Sequence, residues 1–287
     1  MTSEIESIEK REKKLAQQRG DFFSPWLGFP CSLPVTRFFL RHDISENIAT
    51  MLMWWTGMLG SLLLLPGLPW SIVGFSLLML QLVLDYVDGQ LARHRGTASV
   101  RGAVWDRWSH FMIEMFFYAM LATSLYYQHG SPVVFIPVAV LVIWNRFRVL
   151  ISGLPTLIYC NEMTCYPDIE SRMMRHNLGA ETASDEEKTA KDEPHLNKLS
   201  WLRCILRSTT TSFNFLILVL LFAAIAEFIL ALIGHELPLV LLAVLTTAVY
   251  YAYNIIDYSY DYLFTDRIET DIVALSKRLR SEEKENR

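Results

Sequence analysis

Between residues 85 and 110 the chain reads DYVDGQLARHRGTASVRGAVWDRWSH. Asp85, Asp88, Gly89 and Ala92 fall at i, i+3, i+4 and i+7, so they share one helical face. Gly102, Asp106 and His110 fall at i, i+4 and i+8 and share one face of a second helix. A short loop containing Gly96 and Thr97 makes the two helices neighbours. Three carboxylates and an imidazole then converge. Carboxylates so close repel one another unless a cation sits among them. An oxygen-rich set of this kind suits Mg²⁺ or Mn²⁺. Gly89, Ala92 and Gly102 remove bulk from the same faces and leave room for a ligand beside the backbone. Glu114, one turn beyond His110, is placed to hydrogen-bond the imidazole and orient it.

The elements that carry these residues are strongly apolar. Of 287 residues 52% are hydrophobic, and they come in blocks: 47–84, 115–145 and 237–256 contain no Asp, Glu, Lys or Arg. A membrane-spanning helix needs ~20 mostly apolar residues. The turn sequences PGLPW (66–70), QHGSP (128–132) and GHELP (234–238) interrupt the apolar stretches. The pattern predicts an all-α polytopic membrane protein with six transmembrane helices, at about 47–65, 71–90, 103–127, 132–150, 211–233 and 238–260. Charges inside such spans are costly, which makes the acidic cluster a functional candidate. None of the 26 Lys and Arg residues lies in the three turns. The positive-inside rule then puts the opposite side, with both termini and the acidic cluster, in the cytoplasm.

Three regions follow. Residues 1–44 read as a cytoplasmic and interfacial N-terminal segment, charged over 3–19 and mixing Phe, Trp, Pro and Arg over 20–41 as an interfacial helix would. Residues 45–262 hold the six spans, with a polar cytoplasmic insertion at about 160–205; residues 263–287 are a charged cytoplasmic tail. Ser45 or Asn47 is the expected cap of the first span. Cys31, Cys160, Cys165 and Cys204 all fall on the cytoplasmic side and are expected to be free thiols. The charged start, IESIEKREKKLAQQ, is no cleavable signal peptide. No nucleic-acid partner is expected.

The segment 85–110 resembles the signature of the CDP-alcohol phosphotransferase (CDP-alcohol phosphatidyltransferase) family, D-x2-D-G-x2-A-R-x8-G-x3-D-x3-D. Asp85, Asp88, Gly89, Ala92, Arg93, Gly102 and Asp106 match, seven of eight fixed positions within 26 residues. NIAT (47–50) resembles the family's N-x-x-T at the start of the first span, with Glu46 where a proline is common. The resemblance implies a divalent metal, Mg or Mn, held by Asp85, Asp88 and Asp106. It implies a CDP-linked donor whose diphosphate the metal holds, in a nucleotide site shaped by Gly89, Ala92, Arg93 and Gly102. It also implies an alcohol acceptor, a lipid on at least one side of the reaction, release of CMP, and a homodimer. The eighth position, an Asp in the family, is His110 here. Histidine can ligate metal and can act as a base near neutral pH. Asp106 and His110 are thus the candidate catalytic residues, His110 is a further candidate metal ligand, and Glu114 stands behind it.

Arg146 and Arg148 lie at the cytoplasmic end of the fourth span, where they suit either a substrate phosphate or ordinary interfacial anchoring. Asn254, Asp257 and Asp261 read as a polar helix end, the tyrosines over 250–262 as an interfacial belt, and Trp105 and Trp108 as packing. Two other classes stay open: a catalytically inactive relative with a binding or scaffolding role, and a small-solute transporter. Transport sites usually lie at the bilayer midplane, whereas these acids cluster at one end of two helices. The topology has a direct test. A cysteine introduced at Gly130 or Gly234 should react with impermeant thiol reagent only from the side opposite the termini. Labelling of Gly130→Cys from the cytoplasmic side of sealed, oriented vesicles would break the six-span arrangement.

Overall fold

A computed structural model of the chain describes residues 28–158 and 212–264. They form helices joined by short turns: α1 (Phe29–Arg41), α2 (Glu46–Leu62), α3 (Trp70–Arg95), α4 (Val100–His129), a 3-10 turn (Pro132–Val134), α5 (Phe135–Ile158), α6 (Phe213–Leu232) and α7 (Leu239–Phe264). No strand occurs among the described residues. The charged helix expected over 3–19, the polar insertion, most of the C-terminal tail, and Cys160, Cys165 and Cys204 lie outside them. Cys31 is free and exposed. The residues fall into two compact units, with α5 and α7 divided between them at Ile143 and Tyr250.

Local chemistry sets the helix ends. α3 stops at Gly96, whose φ of 67° is the left-handed conformation that glycine adopts without strain. The amides of Gly96 and Thr97 both turn back to the Ala92 carbonyl. Three residues later Ser99 opens α4, its hydroxyl accepting a hydrogen bond from the Gly102 amide at 3.1 Å. The connection is therefore a glycine stop followed by a serine start, and it holds α3 and α4 as antiparallel neighbours. Ser45 takes the cap position of α2 in an extended conformation, but its side chain makes no capping bond.

In the first unit α2 and α3 approach backbone to backbone. A Cβ on Gly74 would stand 2.6 Å from the Gly60 carbonyl oxygen, and one on Gly60 would stand 2.8 Å from that of Gly74. In lipid the hydrophobic effect does not drive helices together, so close contact at small residues has to do it. Gly57 makes room for Ile113 of α4 in the same way. The Ser124 hydroxyl of α4 donates to the Leu64 carbonyl at 2.6 Å, tying α4 to the turn between α2 and α3. α1 lies on α3 through a buried amide: Thr36 donates to Gln90 Oε1 at 2.6 Å, and Gln90 Nε2 donates to Ser32 Oγ at 2.9 Å. Phe39, Ala49, Val87 and Leu91 fill the space beside it. α6 and α7 are joined by Glu227, whose carboxylate accepts the Val240 amide at 2.8 Å.

In the second unit Trp144 is buried between Tyr251 and Tyr258, with ring centroids 5.5 and 5.7 Å away. The expected tyrosine belt therefore divides. Tyr253 and Tyr260 are exposed, but Tyr251 is core because it faces Trp144.

Among the described residues, four helices are long and apolar enough to cross a membrane: Trp70–Arg95, Pro132–Ile151, Phe213–Leu232 and Leu239–Tyr260. The chain is a membrane protein. α2, with 17 residues, and α4, which carries Arg101, Asp106, Arg107 and Glu114 in its first half, are not among the four.

The glycine contact gives a stability prediction. Gly74→Val forces α2 from α3 and should cost about 1–3 kcal/mol, the usual penalty of overpacking. Gly153→Ala, with open space around a position inside α5, should be neutral or stabilise by up to about 1 kcal/mol. Thermal unfolding of both variants in one detergent checks the pair. Equal midpoints would show that the helices do not meet at Gly74.

Candidate active site

The turn from Gly96 to Ser99 fixes which faces of α3 and α4 meet, and the meeting faces carry the acids. One ligand atom each from Asp85, Asp106 and His110 lies within 4.8 Å of the others. His110 Nε2 is 2.8 Å from Asp85 Oδ1 and 3.5 Å from Asp106 Oδ1. All three residues are half-buried. Asp106 Oδ1 is shut off from solvent, yet no donor hydrogen-bonds to it. A buried carboxylate oxygen without a donor costs free energy that a cation would recover. Two carboxylates and an imidazole are also a donor set that Mg²⁺, and more so Mn²⁺, accepts. The residues present fit a divalent metal.

Asp88 stands apart from that trio. It is only 9% exposed, and its Oδ2 accepts a hydrogen bond from the Thr50 hydroxyl of α2 at 2.9 Å. Glu114 is within electrostatic reach of the His110 ring.

Beside the acids opens a cavity of about 250 Å³. Gly89, Ala92, Arg93 and Gly102 line it, together with Asp88 and Asp106. A Cβ on Gly89 would meet Arg93 Nη1 at 3.1 Å, so the absent side chain at 89 is what lets the guanidinium lie back along the wall. Glu46, Asn47 and Thr50 of α2 form another part of the lining, with Thr97 and Ser99 from the turn.

Two contributors escape a reading of the sequence. Arg95 clamps the end of α3 to the segment before α2. Its Nη1 donates to the Ile44 carbonyl at 2.9 Å and to Glu46 Oε2 at 3.1 Å, and its Nη2 lies 3.2 Å from Asp43 Oδ1. This holds the start of α2 against the cavity. Nothing local in the sequence marks Arg95, because its partners are about fifty residues away. Trp105 is the other. Packing was its expected role, but it is 56% exposed and lines the cavity. Its ring stacks on Trp108 at 5.3 Å with 24° between planes.

Arg146 and Arg148 belong to α5 in the second unit, not to the unit that holds the acids. Asn254, also in the second unit, is buried and donates to the Tyr250 carbonyl at 2.7 Å, so it serves its own helix.

A family model described as CDP-alcohol phosphatidyltransferase matches residues 44–249, which include Asp85, Asp88, Asp106, His110 and the cavity lining. A search of curated proteins finds no match.

The cation fit can be tested without turnover. Mn²⁺ bound by the purified protein is read from the fall of the free-ion EPR signal. Asp85→Asn and Asp106→Asn should weaken binding by more than about tenfold, and Thr50→Val, which removes only the donor to Asp88, by about tenfold. Unchanged affinity in all three would show that the acids do not form a metal site.

Proposed function

The chain belongs to the CDP-alcohol phosphatidyltransferase family, and on that footing we propose that it moves a substituted phosphate group from a CDP-linked donor to an alcohol and releases CMP. The supporting observation is the double position of Asp106. Its carboxylate belongs to the trio with Asp85 and His110, and it also lines the cavity that Gly89, Ala92, Arg93 and Gly102 shape.

In this reading Asp85, Asp88 and Asp106 hold Mg²⁺ or Mn²⁺. When bound, the cation supplies positive charge against the phosphoryl oxygens and the departing phosphate. Arg93 binds a phosphate oxygen of the donor from the wall over Gly89. His110, whose Nε2 donates to Asp85, takes the proton of the acceptor hydroxyl at its other ring nitrogen, Nδ1. The hydroxyl oxygen bonds to the β-phosphorus, the bridging P–O bond breaks, and CMP leaves with that oxygen. Asp85 Oδ1, at 2.8 Å, and Glu114 stabilise the imidazolium that results.

We place α2 and α4 in the membrane with the four apolar helices, both termini in the cytoplasm, and the site at the cytoplasmic boundary. Ile48, Met51, Leu52, Trp55, Leu59 and Leu62 supply an exposed apolar stripe along α2, which suits lipid contact. A site at that depth serves one water-soluble and one lipid reactant, so CDP-diacylglycerol with a polar alcohol is the first donor–acceptor pair to try. The six-span region, 45–262, is the catalytic domain in this scheme, and two copies form a homodimer. His110 in place of the family's Asp favours one rival, an inactive relative with a binding role.

A CMP-release assay over a panel of CDP-linked donors and alcohols separates them. Activity should require Mg²⁺ or Mn²⁺ and vanish in Asp85→Asn, Asp88→Asn and Asp106→Asn. His110→Ala should lose about 100-fold or more, the usual contribution of a general base. His110→Asp should stay active with a greater preference for Mg²⁺. Release that persists in excess chelator, or no release from any donor, would sink the reading.

A further inference from the structure

Four charged side chains line the cavity beside the acids: Glu46, Asp88, Arg93 and Asp106. Glu46 is already answered by Arg95 at 3.1 Å. The other three are the groups that suit a diphosphate and its counter-cation. The rest of the lining is small or neutral, and among the described residues it contains one aromatic side chain, Trp105.

Trp105 is built differently from the other exposed indoles. Trp55 and Trp70 are exposed to a similar degree but do not line this cavity, so their place is the apolar surface. Trp105 lines the cavity, immediately before Asp106 in the chain. Trp108 stacks against one face of its ring and fixes its plane. One turn before it stands Gly102, where an added Cβ would meet nothing nearer than Ser99 Oγ at 3.3 Å. The arrangement is a supported, solvent-accessible aromatic plane next to the charged end of a cavity. Aromatic side chains bind nucleobases by stacking, at about 1–3 kcal/mol per base.

We infer that the indole face of Trp105 is the stacking platform for the pyrimidine base of the CDP-linked donor, a specificity role that rests on the donor reading above. The base lies on Trp105 while the diphosphate reaches the acids and Arg93, so the cavity reads both ends of the nucleotide.

Binding alone tests it. CMP and ribose 5-phosphate, which has a hydroxyl where CMP has the base, are titrated against the full chain in detergent at fixed Mn²⁺. The parent should bind CMP more tightly. Trp105→Ala should lose about tenfold or more of the CMP affinity and keep its affinity for ribose 5-phosphate, and Trp105→Phe should keep most of both. Should Trp105→Ala lose both ligands through misfolding, Trp105→Leu decides, since it keeps apolar bulk without an aromatic face: loss of CMP with ribose 5-phosphate intact supports the platform, and an unchanged ratio of the two overturns it. An unchanged CMP to ribose 5-phosphate ratio in Trp105→Ala also overturns it and leaves Trp105 as an interfacial anchor. Absence of turnover with every CDP-linked donor would strike the donor reading separately, since the base test needs no turnover.

Discussion

An ionised carboxylate taken out of water costs several kcal/mol unless a partner answers its charge. This chain sets three of them on two helices of the first unit, and much of that unit is arranged around answering them. Asp88 receives the Thr50 hydroxyl from α2. Asp85 receives the His110 imidazole from α4. Asp106 keeps one buried oxygen that accepts no hydrogen bond, with His110 Nε2 3.5 Å away. The site is thus satisfied in two places and open in a third, on a residue that belongs to the trio and also lines the cavity.

That arrangement depends on packing at a distance. Gly60 and Gly74 let α2 and α3 touch backbone to backbone. Thr50 lies about 15 Å along α2 from that contact, and Asp88 about 21 Å along α3, at the helical rise of ~1.5 Å per residue. With the two helices in contact at one end, a hydroxyl on α2 meets a carboxylate on α3 at the other. The Arg95 clamp closes the same end from the opposite direction, fixing the segment that leads into α2. Side-chain volume at position 60 or 74 would therefore be felt at Asp88.

The acids were legible in the sequence because their spacing is local. Positions at i, i+3 and i+4 share a face whatever the rest of the fold does, and Gly96 and Ser99 are stop and start signals that need no partner elsewhere. The apolar blocks likewise foretold the helices, within about five residues at each end except for α5, which runs on to Ile158. Contacts across the fold were not legible. NIAT showed Thr50 as part of a pattern but not that its hydroxyl would reach Asp88. Arg95 looked like one more cation setting orientation, and Tyr251 like one more interfacial tyrosine, because only the packed structure supplies Glu46 and Trp144. Trp105 misled for a related reason: an indole beside a motif has the same composition whether it packs or lines a cavity.

Glu227 has a consequence for how the chain is made. α6 is a continuous apolar stretch apart from this one acid, and the acid's hydrogen bond is to the Val240 amide, on the next helix. During synthesis α6 emerges first. Released alone into lipid, it would carry a carboxylate with no answering group. The partner amide arrives only after the turn at Gly234 and the first residues of α7. The two helices are thus coupled in time as well as in space, and a chain cut short between residues 232 and 240 would leave α6 without the amide that answers its acid.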